Sequence, residues 1–143
     1  MIRITGGTFR SRLLKTPISD VTKPTMDKVR AGIFNALGFE VNGASVLDLF
    51  AGSGSYSFES ISRGASSATL VEISKEPISC IKENARALKV NINLYEQDVN
   101  TFLDENDNRY DIIFIDPPYK LDTYGELVNT IIRKNILTDN GII

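Results

Sequence analysis

The sequence predicts an α/β fold in which helices cover both faces of a parallel sheet, the doubly wound arrangement. From about residue 45 onward, short apolar segments alternate with segments whose apolar residues recur at helical spacing, a pattern typical of such sheets. A glycine-rich turn follows the first apolar segment, as expected where a strand leads directly into a helix. The 143 residues, 42% hydrophobic and 24% charged, fit one domain of ordinary composition. We therefore expect a single domain over 1–143, with residues 1–24 as an extension of an α/β core at 25–143.

The N-terminal extension is predicted to be a small hairpin followed by a loop. Two short extended runs, at 2–5 and 9–14, flank Gly6-Gly7, which is a turn signal. A helix is expected from Thr25 as its N-cap to Leu37, because apolar residues fall at helical spacing along this segment.

The core is predicted to hold five strands and four helices in alternation. The strands are expected at 45–50, 68–73, 92–96 and 111–115, with a fifth beginning at Gly141; the helices are expected at 55–63, 75–89, 99–103 and 123–134. Because the fifth strand would then hold only two or three residues, we expect the chain to be truncated within it, with an exposed sheet edge that favours dimerisation.

Charge is distributed unevenly along the chain. Residues 1–30 hold seven basic and two acidic residues, a net charge of +5, whereas the remainder holds nine basic and sixteen acidic residues, a net charge of −7. This asymmetry favours a polyanion such as RNA as the partner of the N-terminal segment, although a solvated basic hairpin would look the same.

Several classes of site are excluded by residue counts. The chain has no histidine and one cysteine, which rules out a Ser-His-Asp triad, a histidine metal site, a disulfide framework and a thiolate zinc site within it. No metal is expected. No apolar run approaches the length of a membrane span, and we expect a cytoplasmic protein without a membrane partner.

The first motif is Asp48-Leu49-Phe50-Ala51-Gly52-Ser53-Gly54, a glycine-rich turn at the end of the first core strand. Glycine lets a ligand approach the backbone, and Glu72, at the end of the next strand, could accept the hydroxyls of a ribose. The dinucleotide pattern needs a third glycine where Ser57 stands, which weakens a nicotinamide or flavin interpretation. Asp48 suits a ligand with positive groups, such as S-adenosylmethionine. A tight turn without a ligand is the structural alternative.

The second motif is Asp116-Pro117-Pro118-Tyr119, directly after the fourth strand. Two consecutive prolines stiffen the loop and leave carbonyl oxygens available as acceptors. An ionised Asp116 is acceptor-only, and Tyr119 offers a flat face for a base. Acceptors beside a stacking ring are what an exocyclic amine on a planar base requires, so we interpret this loop as the catalytic one. Tyr56 is interpreted as a packing residue.

Together these motifs resemble the class I S-adenosylmethionine-dependent methyltransferases, whose fold is Rossmann-like. Within them the chain is similar to the bacterial 16S ribosomal RNA guanine-N2 methyltransferase family of the RsmD type. The most specific part of the resemblance is the opening Gly-Gly hairpin with the Lys-Pro-Thr-Met-Asp-Lys-Val-Arg segment at 23–30. The Asp-Pro-Pro-Tyr tetrad is shared with adenine-N6 and other amino methyltransferases.

The resemblance implies a role for each motif. The cofactor S-adenosylmethionine would be bound by Asp48, Phe50, Gly52, Gly54, Glu72, Asp98 and Val99. The guanine amine would be held by Asp116 and the Pro117 carbonyl in the catalytic loop Asp116, Pro117, Pro118 and Tyr119, with the ring of Tyr119 stacked on the flipped base. Contacts to RNA phosphates would come from Arg3, Arg10, Arg12, Lys28 and Arg30.

The expected activity is methyl transfer from S-adenosylmethionine to the N2 amine of a guanine in 16S ribosomal RNA, either free or in the small ribosomal subunit. One alternative is a DNA adenine-N6 methyltransferase, which is disfavoured because no sequence remains for a target-recognition domain. Another is an inactive RNA-binding module, which the expected truncation makes conceivable.

Overall fold

The computed structural model describes residues 1–18, 24–117 and 122–143. These ranges hold seven strands and five helices. The strands are β1 (Ile2–Arg3), β2 (Leu13–Leu14), β3 (Ser45–Leu49), β4 (Ser67–Val71), β5 (Asn93–Tyr95), β6 (Tyr110–Ile115) and β7 (Leu137–Ile142). The helices are α1 (Pro24–Leu37), α2 (Ser55–Ser62), α3 (Lys75–Leu88), α4 (Val99–Glu105) and α5 (Tyr124–Arg133). A 3₁₀ turn at Gly38–Val41 links α1 to the core.

The central sheet has five strands in the order β5-β4-β3-β6-β7, and every pairing between them is parallel. The chain fills one side of β3 first, with β4 and β5, and then crosses to β6 and β7 on the other side. The order reverses at β3, and doubly wound sheets bind ligands beyond the carboxyl ends of the strands at such a point. The predicted fold class is confirmed.

Alternating residues of the strands face two different layers of helices. On one face Leu47, Leu49 and Ile113 pack with residues of α4 and α5. On the other face Val46, Ile112 and Phe114 pack against Phe34 of α1. Because side chains alternate along a strand, Asp48 belongs to the same face as Val46, beneath α1 and α2. Of the helices described, none is long and apolar enough to cross a membrane.

The N-terminal hairpin is shorter than the sequence predicts. Only two residues of each arm pair as strands, and the intervening segment turns with backbone hydrogen bonds between Ile4 and both Ser11 and Arg12. Gly7 (φ 80°) lies against α2, since a Cβ there would come within 1.9 Å of the Ser62 carbonyl oxygen. This contact, rather than a tight Gly-Gly turn, decides the shape of the hairpin.

The last strand differs from the prediction of a short fifth strand beginning at Gly141. It runs from Leu137 to Ile142, six residues in all. Asn135 in the left-handed conformation ends the preceding helical segment (φ 57°), so the chain turns back at once and pairs with β6. A register shift between Tyr110 and Ile112 of β6 accommodates the polar Asp139-Asn140 pair within β7. A dimer along this edge stays a prediction.

Candidate active site

The carboxyl ends of the three central strands bring together the acidic residues that the sequence singled out. Asp48 lies in β3, Glu72 directly follows β4, and Asp116 directly follows β6. Because β3 pairs in parallel with both neighbours, all three carboxylates lie at the same edge of the sheet. The three carboxylates are also close enough to interact electrostatically, since the charges of Asp116 and Glu72 both act to raise the pKa of Asp48.

Asp48 is the most buried member of this group, with 1% of its surface exposed. Its Oδ2 atom accepts a hydrogen bond of 2.7 Å from the Ser57 hydroxyl. Burial raises the pKa of Asp48 to about 7, against the opposing effect of that hydrogen bond. The carboxyl group is therefore partly protonated near neutral pH. A positively charged ligand nearby would favour its ionised form.

The glycine-rich turn needs its glycines for two different reasons. Gly54 has φ 86°, and a Cβ there would lie 2.7 Å from the ring of Phe58, so it permits both the turn and the packing of α2. Gly52 has φ 59° but open space around its would-be Cβ. A side chain at Gly52 would thus meet no neighbouring atom, which leaves room for a ligand to approach the backbone.

Glu72 is held by three backbone amides. Its Oε1 atom accepts from Gly52 at 2.8 Å, and its Oε2 atom accepts from Ile73 at 3.0 Å and Ser74 at 2.9 Å. A carboxylate offers about four acceptor positions, so about one remains for a ligand. Glu72 therefore both shapes the glycine turn and keeps limited capacity for a ribose hydroxyl.

Two cavities that share lining residues lie at this edge of the sheet. One, of about 90 Å³, is lined by Glu72 together with Phe50, Val71, Ile73, Ser74, Gln97, Asp98 and Val99. The other, of about 260 Å³, shares Phe50, Asp98 and Val99 and extends along α5. The carboxylate of Asp98 accepts the Asn100 amide at 2.9 Å and caps α4. The smaller cavity combines apolar residues with the carboxylates of Glu72 and Asp98, which suits a ligand that carries both hydroxyls and an amine. Of the predicted cofactor residues, Phe50, Glu72, Asp98 and Val99 line the cavities, and Asp48, Gly52 and Gly54 do not.

The catalytic loop is described as far as Pro117. Burial raises the pKa of Asp116, while a hydrogen bond from Tyr56 opposes that rise. Pro118 and Tyr119 lie outside the described residues, so their predicted roles stay predictions. Asp116 thus adjoins the glycine turn, as the expected chemistry requires.

Two residues near the site were not predicted from sequence to act there. Tyr56 was interpreted as packing, and its ring does stack on Phe114, with centroids 5.0 Å apart; burial and then the charge of Asp116 raise the pKa of its phenol to about 12. Buried Asn84 donates to the carbonyls of Lys15 and Ser53, which ties the N-terminal segment to the glycine turn. The available signal for Asn84 was a polar residue within the buried face of α3. For Tyr56 it was a position two residues after Gly54.

Four of the five predicted RNA-contacting residues are exposed: Arg3, Arg10, Arg12 and Lys28. Two of these also make contacts to protein backbone, Arg3 to the Ser11 carbonyl and Arg12 to the Ala87 carbonyl, both at 3.1 Å.

The fifth residue, Arg30, is buried, contrary to its predicted role in contacting RNA phosphates. It is 3% exposed, because its guanidinium is paired with Glu59 at 3.2 Å and Asp27 at 3.0 Å and also donates to the Arg3 carbonyl. Glu59 is buried and accepts further hydrogen bonds from Thr5, Gly6 and Arg63. Arg30 therefore joins α1 to the hairpin and α2 instead of facing a phosphate.

Comparison with known proteins agrees with this geometry. The family model described as Conserved hypothetical protein 95 matches residues 2–143. The ribosomal RNA small subunit methyltransferase D of Escherichia coli strain K12 is 38% identical over 141 residues, covering 98% of this chain and 68% of that protein. The chain belongs to the RsmD-type methyltransferase family.

Other relatives also match nearly the whole of this chain. The methyltransferase D of Haemophilus influenzae is 32% identical over 147 residues, covering 99% of this chain and 76% of that protein. A solved Escherichia coli structure whose description proposes a methyltransferase superposes with a TM-score of 0.82 at 34% identity, covering 99% of this chain and 74% of that one. The predicted family, its Rossmann-like fold and its cofactor, S-adenosylmethionine, are thereby confirmed.

Proposed function

We propose that this RsmD-type protein transfers a methyl group from S-adenosylmethionine to the exocyclic N2 amine of a guanine in 16S ribosomal RNA. The observation that carries the proposal is the placement of Asp116 beside the glycine turn. The two follow neighbouring strands, β6 and β3, which pair in register with Leu49 opposite Ile115. An acceptor for the amine and the proposed cofactor-binding turn would therefore lie at the same edge of the sheet.

The cofactor-binding residues divide by chemistry. S-adenosylmethionine, when bound, supplies an electron-poor methyl group on a cationic sulfonium. Gly52 leaves room at the backbone, and the smaller cavity offers the carboxylates of Glu72 and Asp98 and the apolar side chain of Val99. Asp48 adds a buried carboxylate at the same edge of the sheet. The carboxylates favour a cationic ligand over a neutral one of the same shape.

Asp116 and Pro117 would hold the guanine amine. A carboxylate oxygen and a carbonyl oxygen can each accept one N–H, which fixes the plane of the amine and the direction of its lone pair. The exocyclic nitrogen of guanine is a weak nucleophile, so this alignment is the main contribution we assign to the loop. Its prolines limit the motion that would spoil the alignment. Tyr119, by its type and position, would stack on the base.

The exposed cations of the N-terminal segment would position the RNA. Arg10, Arg12 and Lys28 present positive charge without a close carboxylate partner in the described ion pairs. Contacts to phosphates set orientation without selecting the base. Specificity for guanine would then come from the amine acceptors in the crevice. The relatives named above carry ribosomal RNA of the small subunit in their names, which supports the same substrate for this chain.

The test is mass-spectrometric mapping of methylated nucleosides in ribosomal RNA from cells with and without the gene. We expect one N2-methylguanine in 16S RNA to be lost in the deletion strain and restored by the parent gene but not by Asp116→Ala. In parallel, the purified protein should methylate 16S RNA or small subunits and leave duplex DNA unmodified. Loss of a methyladenine instead, or methylation of DNA, would overturn the assignment to guanine in RNA. An unchanged RNA in the deletion strain would argue for a binding module.

A further inference from the structure

One buried side chain connects the N-terminal segment to the glycine-rich turn. Asn84 of α3 is 4% exposed and lies at helical spacing between Ile81 and Leu88, on the face of the helix that packs into the core. A polar group in such a place needs hydrogen-bond partners. The partners of Asn84 are the backbones of Lys15 and Ser53, so this one side chain contacts both parts of the chain.

The hydrogen bonds use every donor of the Asn84 amide. Its Oδ1 atom accepts from the Lys15 amide at 2.7 Å. Its Nδ2 atom donates to the Lys15 carbonyl at 3.0 Å and to the Ser53 carbonyl at 3.2 Å. Because Nδ2 carries only two hydrogens, the pairing with Lys15 fixes the orientation in which the second hydrogen meets Ser53. A displacement of Lys15 from α3 would therefore also disturb the bond to Ser53.

The Ser53 carbonyl belongs to the turn at which the cofactor is proposed to bind. The preceding Gly52 amide donates to Glu72 at 2.8 Å, so side chains from two different elements hold the turn. Glu72 lines the smaller cavity, and Asn84 does not. Glu72 can therefore meet a ligand directly, whereas Asn84 can affect a ligand only through the shape of the turn.

Residues 15–18 are also fastened to α3 by carboxylates at the surface. The Lys15 ammonium pairs with Glu83 at 2.8 Å, with 55% and 44% of the two side chains exposed, and the Ile18 amide donates to Glu76 at 2.6 Å. Exposed ion pairs contribute little, which leaves the buried Asn84 as the main link. Arg12 donates to a backbone carbonyl at the end of the same helix, so its position too depends on the docking of this segment.

We propose that Asn84 is a positioning residue that couples RNA binding at the N-terminal segment to S-adenosylmethionine binding at the glycine-rich turn. This inference rests on the proposed function and extends it to a residue outside the lining of the cavities. Two ligands are coupled when both favour the same state of the protein. RNA phosphates on Arg10 and Arg12 would favour the state in which the segment is docked on α3. In that state Asn84 holds the Ser53 carbonyl, and RNA should therefore tighten cofactor binding.

The test is calorimetry of S-adenosylhomocysteine, the cofactor without its methyl group, with and without saturating 16S RNA. In the parent we expect RNA to lower the Kd about fivefold, the lower end of typical couplings between sites. Asn84→Asp keeps the acceptor for Lys15 and loses both N–H donors, so its Kd should be the same with and without RNA. Glu83→Gln is the matched control, because it removes the Lys15 ion pair and leaves Asn84 in place; it should keep the parental ratio.

The ratio of the two Kd values separates coupling from stability. If Asn84 only stabilised the fold, Asn84→Asp would unfold at a lower urea concentration but would keep the parental ratio, and the proposal would be overturned. A parent that binds RNA and shows a ratio of one would overturn it equally.

A second measurement uses the parent protein and needs neither a variant nor RNA. Because coupling is reciprocal, saturation with S-adenosylhomocysteine should slow hydrogen exchange of the Lys15 amide about fivefold. The Ser45 amide is the control, since a side chain also holds it, Asp111 at 2.9 Å, but at the amino end of β3; its exchange should not change. An unchanged Lys15 rate, or equal slowing at Ser45, would overturn the link. If the parent bound no RNA, the proposed function would fail, while Lys15 exchange would still decide whether the turn and the segment are linked.

Discussion

Replacement of Arg30 by alanine tests whether this residue stabilises the fold or binds RNA. In the structure its guanidinium contacts Glu59 and Asp27, and the Glu59 side chain is fully buried. Removing one partner of a buried ion pair typically costs about 3–5 kcal/mol, because the other charge loses its compensation. Glu59 keeps donors from Thr5, Gly6 and Arg63, so we expect Arg30→Ala to lower the free energy of unfolding by about 3 kcal/mol, at the lower end of that range.

The assay is urea-induced unfolding at pH 7, with the free energy of unfolding extrapolated to water. Lys28→Ala is the matched control, since Lys28 lies on the same helix and is exposed; it should change stability by no more than about 0.5 kcal/mol. RNA binding by folded Arg30→Ala should keep the salt dependence of the parent. A variant as stable as the parent, or one whose salt slope falls by about one unit, would refute the structural role and restore Arg30 to the RNA-binding surface.

The remaining predictions concern the site. Asp116→Ala should bind S-adenosylmethionine nearly as the parent does in calorimetry but lose at least about two orders of magnitude in turnover, since misplacing a reacting group by about 1 Å can cost about a hundredfold in rate. A near-parent rate would mean that the loop is only a turn and has no role in catalysis. Glu72→Ala should weaken cofactor binding in calorimetry by about 1.5–3 kcal/mol, and unchanged affinity would remove Glu72 from the site. Replacing Arg10 and Arg12 together should flatten the salt dependence of RNA binding by about one unit of slope per lost phosphate contact, and an unaltered slope would favour a solvated hairpin. Burial raises the pKa of Asp48 from 3.8 to about 7, so the folded protein holds this proton more tightly than the unfolded chain and loses stability as pH rises between those values. Asp48→Asn should remove that loss, and chemical denaturation of the cofactor-free protein should find it more stable than the parent at about pH 8 but not at about pH 4; equal pH dependence of the two would contradict the raised pKa.

The alternation of apolar segments was sufficient to predict the sheet and its helices. Every core strand and helix from β3 to α5 occurs within a few residues of its predicted position, because local periodicity reports directly which element a segment forms. The same is true of the motifs. Asp48 and Glu72 lie near the ends of predicted strands and Asp116 directly follows one, and a parallel sheet brings such strand ends to one edge whatever the details of packing.

The tertiary structure decided which charged and polar side chains face solvent and which pair inside. Arg30 and Lys28 are two residues apart on α1 and alike in charge, yet Arg30 pairs with Glu59, 29 positions away, and Lys28 is exposed. Tyr56 of α2 likewise stacks on Phe114 of β6. The length of β7 depended on a register shift against β6. In each case the partner is distant in sequence. The helical or strand period specifies the direction of a side chain but not the residue that the side chain contacts.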